Sequence, residues 1–207
     1  MSEMAAADKH QIILDAAQKR FARFGLAKVT MDEIAQDIGM GKASLYYYFP
    51  TKESLFQAVI AQEQEKFISI MQISLQQDAP ASDKLRMYMK NRNVYLHGLL
   101  NLSLLGSQSF YQMKPLFNQL YQQLFQDELN LMEQVLEEGK ATGEFRISDP
   151  LKTAEIILHL VRGLRFYYMK VMDEQSSDEK IYEQLAKEMV LITELVLNGI
   201  KNPDYSV

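Results

Sequence analysis

Between Thr30 and Lys52 the sequence TMDEIAQDIGMGKASLYYYFPTK leaves the backbone little choice. Thr30 is a good N-cap with Glu33 three residues on, which makes a capping box, and Val29 sits where it can staple onto Ile34. Gly39 permits the φ > 0 turn that ends a short helix. A second short helix runs from about Lys42 to Tyr48 and is stopped by Pro50, after which Thr51 can cap a longer helix. Ala35, Gly39 and Leu45 stand at the spacing two helices need to cross closely: a small residue, a turn glycine and an apolar anchor. Ile34, Ile38 and Leu45 supply the shared core. The stretch reads as a helix-turn-helix, whose second helix enters the DNA major groove.

Helix geometry separates the three adjacent tyrosines. At about 100° per residue, with Leu45 at zero, Phe49 falls near 40° and completes a buried stripe. Tyr47 falls near 200°, Ala43 near 160° and Ser44 near 260°, all away from the core, while Tyr46 near 100° and Tyr48 near 300° flank that face. An outward ring can touch base edges or thymine methyl groups, and lateral hydroxyls can donate to phosphates. Lys42 is free to reach a guanine or a phosphate, and Thr30 and Lys52, each at a helix start, suit phosphate contacts. Simple packing is the competing reading of the tyrosines, but so short a helix needs only Leu45 and Phe49 for anchorage.

The rest of the chain also reads as helix. Ile13, Ala16, Ala17, Phe21 and Phe24 recur at three- to four-residue spacing over about Asp8–Phe24, with Gly25 as the stop. Further helices are expected over Ser82–Gly98, Leu102–Tyr111, Pro115–Gly139, Leu151–Val171 and Asp178–Asn198, with Asp149-Pro150 as an N-cap and first-turn pair. No alternating strand pattern of convincing length appears, so the fold class is all-α. The net charge of −5 argues mildly against nucleic acid, yet its distribution matters more. Seven basic residues cancel seven acidic ones from Met1 to Phe56, whereas Asp173–Glu194 holds seven acids against Lys180 and Lys187.

The segment ILDAAQKRFARFG…VTMDEIAQDIGMGKASLYYYFPTKESLF resembles the N-terminal domain of TetR-type (tetracycline-repressor-like) transcriptional regulators over roughly residues 9–56. The stretch with glycines at 139 and 143, Glu144-Phe145-Arg146 and Asp149-Pro150 is also typical of that family. The resemblance implies a three-helix DNA-binding domain over 1–55 and a helical effector-binding and dimerisation domain over 56–207. It implies DNA contacts at Thr30, Lys42, Ala43, Ser44, Tyr46, Tyr47, Tyr48 and Lys52. It further implies a homodimer on a palindromic operator, most often a repressor, released when a small molecule binds the C-terminal domain. The family's last two long helices usually form the dimer's four-helix bundle. Leu185, Met189, Ile192 and Val196 can give the final helix its apolar seam.

For an effector, Met and aromatic residues between Ser82 and Met172 suit an adaptable cavity, though such stripes are more often core. Tyr95, Phe110, Met113, Phe117, Tyr121 and Phe166 are the apolar candidates, and Arg92, His97, His159, Arg162 and Arg165 the polar ones. An arginine facing a cavity would favour an anionic ligand.

No enzyme, cofactor or metal site is expected: the chain lacks cysteine, His-x-x-x-His zinc spacing, nucleotide-binding glycine loops and a nucleophile elbow. No signal peptide or membrane span is indicated, and a cytoplasmic setting is expected. Two other functions stay open, an adaptor whose helix-turn-helix binds a protein and a helical enzyme with an inherited N-terminal domain.

Overall fold

The computed structural model describes residues 2–98, 114–171 and 178–205, with side-chain detail for 8–95, 121–168 and 180–205. Its eight described helices are α1 (Ser2–Lys28), α2 (Met31–Asp37), α3 (Lys42–Tyr48), α4 (Lys52–Leu75), α5 (Ala81–Gly98), α6 (Lys114–Ala141), α7 (Pro150–Val171) and α8 (Asp178–Ile200). No strand occurs among the described residues beyond an isolated antiparallel bridge between Phe145 and Lys201. The fold is all-α. The helix expected over Leu102–Tyr111 lies outside the described residues.

The helices gather into two compact units, one built on Met1–Glu65 and the other on Lys66–Gly98 with Tyr121–Val207. In the first, Ile13, Ala17 and Phe21 line one face of α1 and are fully buried. Ile34, Leu45, Phe49, Leu55, Phe56 and Val59 of the same unit are no more than 5% exposed, and the Phe21 and Phe56 rings meet edge-on with centroids 5.1 Å apart. Gly25, at φ 74° and ψ 155°, breaks the helical backbone where the sequence places the stop, although the helix resumes briefly to Lys28. Phe24 does not join the core as its spacing suggests: it lies on the last turn before that break, 44% exposed, with the Arg23 guanidinium 5.1 Å from its ring centroid.

The second unit packs α5 and α7 against α8 around buried Leu85, Tyr88, Met132, Leu136, Leu158, Val161 and Leu197. The turn after α6 organises it. Gly143 has φ 78°, in the left-handed region that favours glycine, and Gly139 must be glycine because a Cβ there would collide with the Phe145 ring. This geometry swings the buried Glu144 carboxylate onto the start of α5, where it accepts from the Ala81 amide at 2.8 Å and the Ser82 amide at 3.0 Å. A side chain more than sixty residues away in sequence thus satisfies the orphan donors of that helix. The Glu144 carbonyl accepts from Asn202 N–H, and Ile200 C=O from Arg146 N–H, which anchors the end of α8.

Candidate nucleic-acid interface

The interface is built by the capping of α2, the turn at Gly39 and the anchorage of α3. Thr30 caps α2 and both halves of its capping box form: Glu33 N–H donates to the Thr30 hydroxyl, and Thr30 N–H to the Glu33 carboxylate. These hydrogen bonds lower the Glu33 pKa from its ordinary value. Gly39 adopts φ 64°, and its amide and that of Met40 bond back to Gln36 and Ala35. Leu45 is completely buried, as are Ile34 and, to 2%, Ala35, while Ile38 is half-buried. Phe49 closes α3 at 5% exposure, its ring 4.9 Å from that of His10 on α1.

With Leu45 and Phe49 facing inward, α3 turns Tyr47 fully outward at 85% exposure. Tyr46 is 39% exposed and Tyr48 half-buried, so the two flanking rings are partly covered by the protein. The Tyr47 and Tyr48 rings meet edge-on, centroids 5.6 Å apart, and Ala43 and Ser44 are exposed on the same outer face. A cleft of about 760 Å³ runs along that face, lined by the turn at Gly39–Gly41, the outer side of α3, and Lys9 and Ile12 of α1.

The charges around α3 are engaged within the motif. The Lys42 ammonium, exposed, pairs with Asp32 at 2.8 Å, which raises its pKa. Lys52 donates to the Val29 carbonyl at 2.9 Å, tying the start of α4 to the segment that enters α2. Each ammonium retains further donors, and an exposed ion pair is weak, so exchanging Asp32 for a phosphate costs little. Arg20 of α1 binds both oxygens of Asp37 and lies 3.4 Å from Glu33. The hydrogen bond from Arg20 lowers Asp37 and raises Arg20 in turn. Two of the acids that cancel the basic residues in the sequence are therefore consumed in bracing α2 against α1.

Sequence reasoning missed Lys9 on the cleft and the Arg20 brace. Both lie on α1, and only tertiary packing brings them to α2 and α3, so no local pattern marks them.

The effector candidates divide. Arg92 and Arg162 come together in the second unit at Glu128, which the sequence reading did not single out, with Tyr121 against Arg162 and His159 stacked on Phe125. Arg92 is not open to a ligand: it forms a two-pronged pair with the fully buried Glu128, to which Tyr88 also donates at 3.1 Å. Burial alone would lower the Arg92 guanidinium, but Glu128 more than offsets this and holds it above its ordinary value. Tyr95 and Phe166 stand exposed at 36% and 54%. Phe110, Met113 and the side chains of His97 and Phe117 lie outside the described residues. Among the described residues no cluster of three or more His, Asp or Glu could hold a metal ion, and no helix is long and apolar enough to cross a membrane.

On α8 part of the expected seam is buried within the protomer. Leu185 and Met189 are buried at 5% in their own protomer, and Ile192 and Val196 are half-buried beside them. The helix is apolar on two sides, and packing against α5 and α7 claims this one. Leu191 and Leu195, one turn apart on another side, are 63% and 71% exposed.

A short helix anchored by one leucine, set after a glycine turn and presenting an aromatic outer face, defines a helix-turn-helix DNA-binding regulator. The family model for bacterial regulatory proteins of the tetR family matches residues 13–59. The crystal structure of a transcriptional regulator from Cytophaga hutchinsonii ATCC 33406 is 39% identical, covers 94% of this chain and 99% of its own, and aligns with a TM-score of 0.83. The HTH-type transcriptional regulator QacR of Staphylococcus aureus is 23% identical over 201 residues, 91% of this chain and 96% of QacR. The fatty acid metabolism regulator protein of Bacillus subtilis is 25% identical over 138 residues, 67% of this chain and 71% of that protein. This chain belongs to the TetR family and is a transcriptional regulator; its relatives are regulators rather than enzymes.

Proposed function

We propose that the protein is a homodimeric repressor that sits on a palindromic operator and leaves it when a small molecule binds the second unit. The observation that carries the reading is the exposure of Tyr47 on a helix whose other side is wholly committed to the core. A ring left 85% in water by its own fold is available for base edges. Tyr46 and Tyr48, with Lys42, Lys52 and Thr30, serve the flanking phosphates, and Lys9 adds a cation from α1. Ala43 and Ser44 are small enough for close approach to the groove floor.

Dimerisation is supported by an unpartnered apolar surface on the last two helices. Ile156, Leu160 and Tyr167 recur along one side of α7, each about half exposed, and α8 adds Leu191 and Leu195. A two-fold axis through such a surface brings two copies of α3 to one operator. Operator binding needs their separation to match one helical turn of DNA, about 34–36 Å. An effector that favours a dimer with another spacing releases the operator. In this reading residues 1–55 bind DNA, 56–207 bind effector and partner, and the protein acts in the cytoplasm without catalysis.

A mobility-shift assay with the DNA upstream of the protein's own gene tests the proposal. Binding that is competed by the same palindrome and weakens with salt is expected. Absence of binding to any palindrome there, even at low salt, would overturn it.

A further inference from the structure

We infer that Arg162 on α7 seats the acidic group of a small organic anion whose apolar body lies against the Tyr121 and Phe125 rings. The inference rests on the effector-responsive reading above and names the chemical class of the effector.

Charge counting within the second unit leads there. Glu128 is fully buried and its carboxylate is already spent: Arg92 takes both oxygens, and the Tyr88 hydroxyl shares one of them. Arg162 approaches the same carboxylate only to 3.9 Å, beyond hydrogen-bonding reach, and its other polar contact is the Tyr121 carbonyl at 3.5 Å. A guanidinium has five N–H donors, so these two long contacts leave it underused. Its side chain is nevertheless only 15% exposed.

Several carboxylates of the same unit are held by other partners. Asp83 and Glu194 hold Arg86, Glu138 holds Lys84, Glu155 holds Lys152, and Glu188 accepts from Tyr168. The sequence contains no Asp or Glu at all from Lys84 to Gln126, which covers the rest of α5 and the first part of α6. Burial lowers the pKa of Arg162, and lowers that of Arg165 to about 10, with Arg92 adding repulsion. Both stay protonated at neutral pH, so positive charge persists in a poorly solvated place.

The surroundings suit an anion with an apolar body. The Arg162 guanidinium carbon lies 4.6 Å from the Tyr121 ring centroid and 4.7 Å from that of Phe125. Phe125 in turn stacks on His159, centroids 5.3 Å apart and 12° from parallel. Tyr121 is 40% exposed, whereas Arg92 and Glu128 are sealed, so the cluster opens at the Arg162 end. The rings hold the guanidinium flat and in place, which is the preorganisation that two-pronged recognition of an acidic group requires.

The test compares two fluorescent probes with the same aromatic body, 1-anilinonaphthalene-8-sulfonate, an anion, and N-phenyl-1-naphthylamine, its neutral counterpart. The full-length protein should bind the anion about tenfold more tightly than the neutral probe. Arg162→Gln should abolish that preference, and Arg162→Lys should keep part of it. Arg165→Gln, which serves if Arg162→Gln fails to fold, should reduce the preference about threefold. Equal affinity for the two probes in the unmodified protein overturns the inference. So does an unchanged ratio in a folded Arg162→Gln or, failing that variant, in Arg165→Gln. Operator binding is measured on the same samples: a protein that shifts DNA but ignores probe charge loses only this inference, whereas failure to bind DNA counts against the regulator mechanism separately.

Discussion

Replacing Tyr47 by alanine should separate folding from DNA reading within one short helix. The ring is 85% exposed and its one described ring partner is Tyr48, met edge-on at 5.6 Å. A surface substitution of this kind changes stability by about 0.5 kcal/mol, with the edge contact at the low end of its range of ~0.5–1.5 kcal/mol. For a unit of this size that is a shift in melting temperature of roughly 2–4 °C. Leu45, by contrast, is completely buried, and Leu45→Ala should cost about 2–5 kcal/mol and melt the motif. On DNA the order reverses. Loss of a base-edge contact costs about 1–3 kcal/mol, or roughly 5- to 140-fold in affinity. The assay is fluorescence anisotropy on a labelled duplex selected from a random library, then on a series in which each base pair is swapped in turn. Tyr47→Ala should flatten the discrimination at one or two positions per half-site while circular dichroism shows a near-normal melt. Uniform weakening at every position, or a melt as damaged as that of Leu45→Ala, would refute the assignment of the ring to the bases.

Three other outcomes are expected. Tyr46→Phe, which removes a lateral hydroxyl and keeps the ring, should weaken all duplexes alike, by about 0.5–1.5 kcal/mol in anisotropy titrations. Leu195→Glu should shift the protein towards monomer in analytical ultracentrifugation, since that residue is 71% exposed in the protomer, whereas Leu185→Glu should prevent folding because its site is buried. The third concerns pH. Asp37 is held below its ordinary 3.8 by Arg20, so its contribution is present above that value and is lost as pH falls through the lower folded one. The stability gap between the unmodified protein and Asp37→Asn, measured by urea unfolding, should therefore hold above about pH 5 and close in stronger acid.

The helix-turn-helix was legible residue by residue because each of its determinants is local. A capping box spans three residues, a turn glycine acts at its own φ, and the inward and outward faces of α3 follow from helical periodicity about Leu45. Those rules held because so short a helix offers few ways to pack. The effector candidates were legible only as residue types. Arg92 and Arg162 look alike in sequence, yet one is locked to Glu128 and the other stops at 3.9 Å from the same carboxylate. On α8, periodicity identified apolar residues on more than one side and could not rank them. Burial of Leu185 and Met189 and exposure of Leu191 and Leu195 depend on where α5 and α7 lie.

By itself, then, the sequence determined the helical class, the family resemblance and the face that α3 turns outward, because these depend on hydrogen bonds and spacings within a few residues. Tertiary structure alone decided that Glu144 caps α5, that Arg20 braces Asp37 and Glu33, and that Lys9 lines the cleft beside Tyr47. Each of these joins residues far apart in the chain. A carboxylate or a cation carries no local sign of its partner, and only the packing of the helices brings the two within reach.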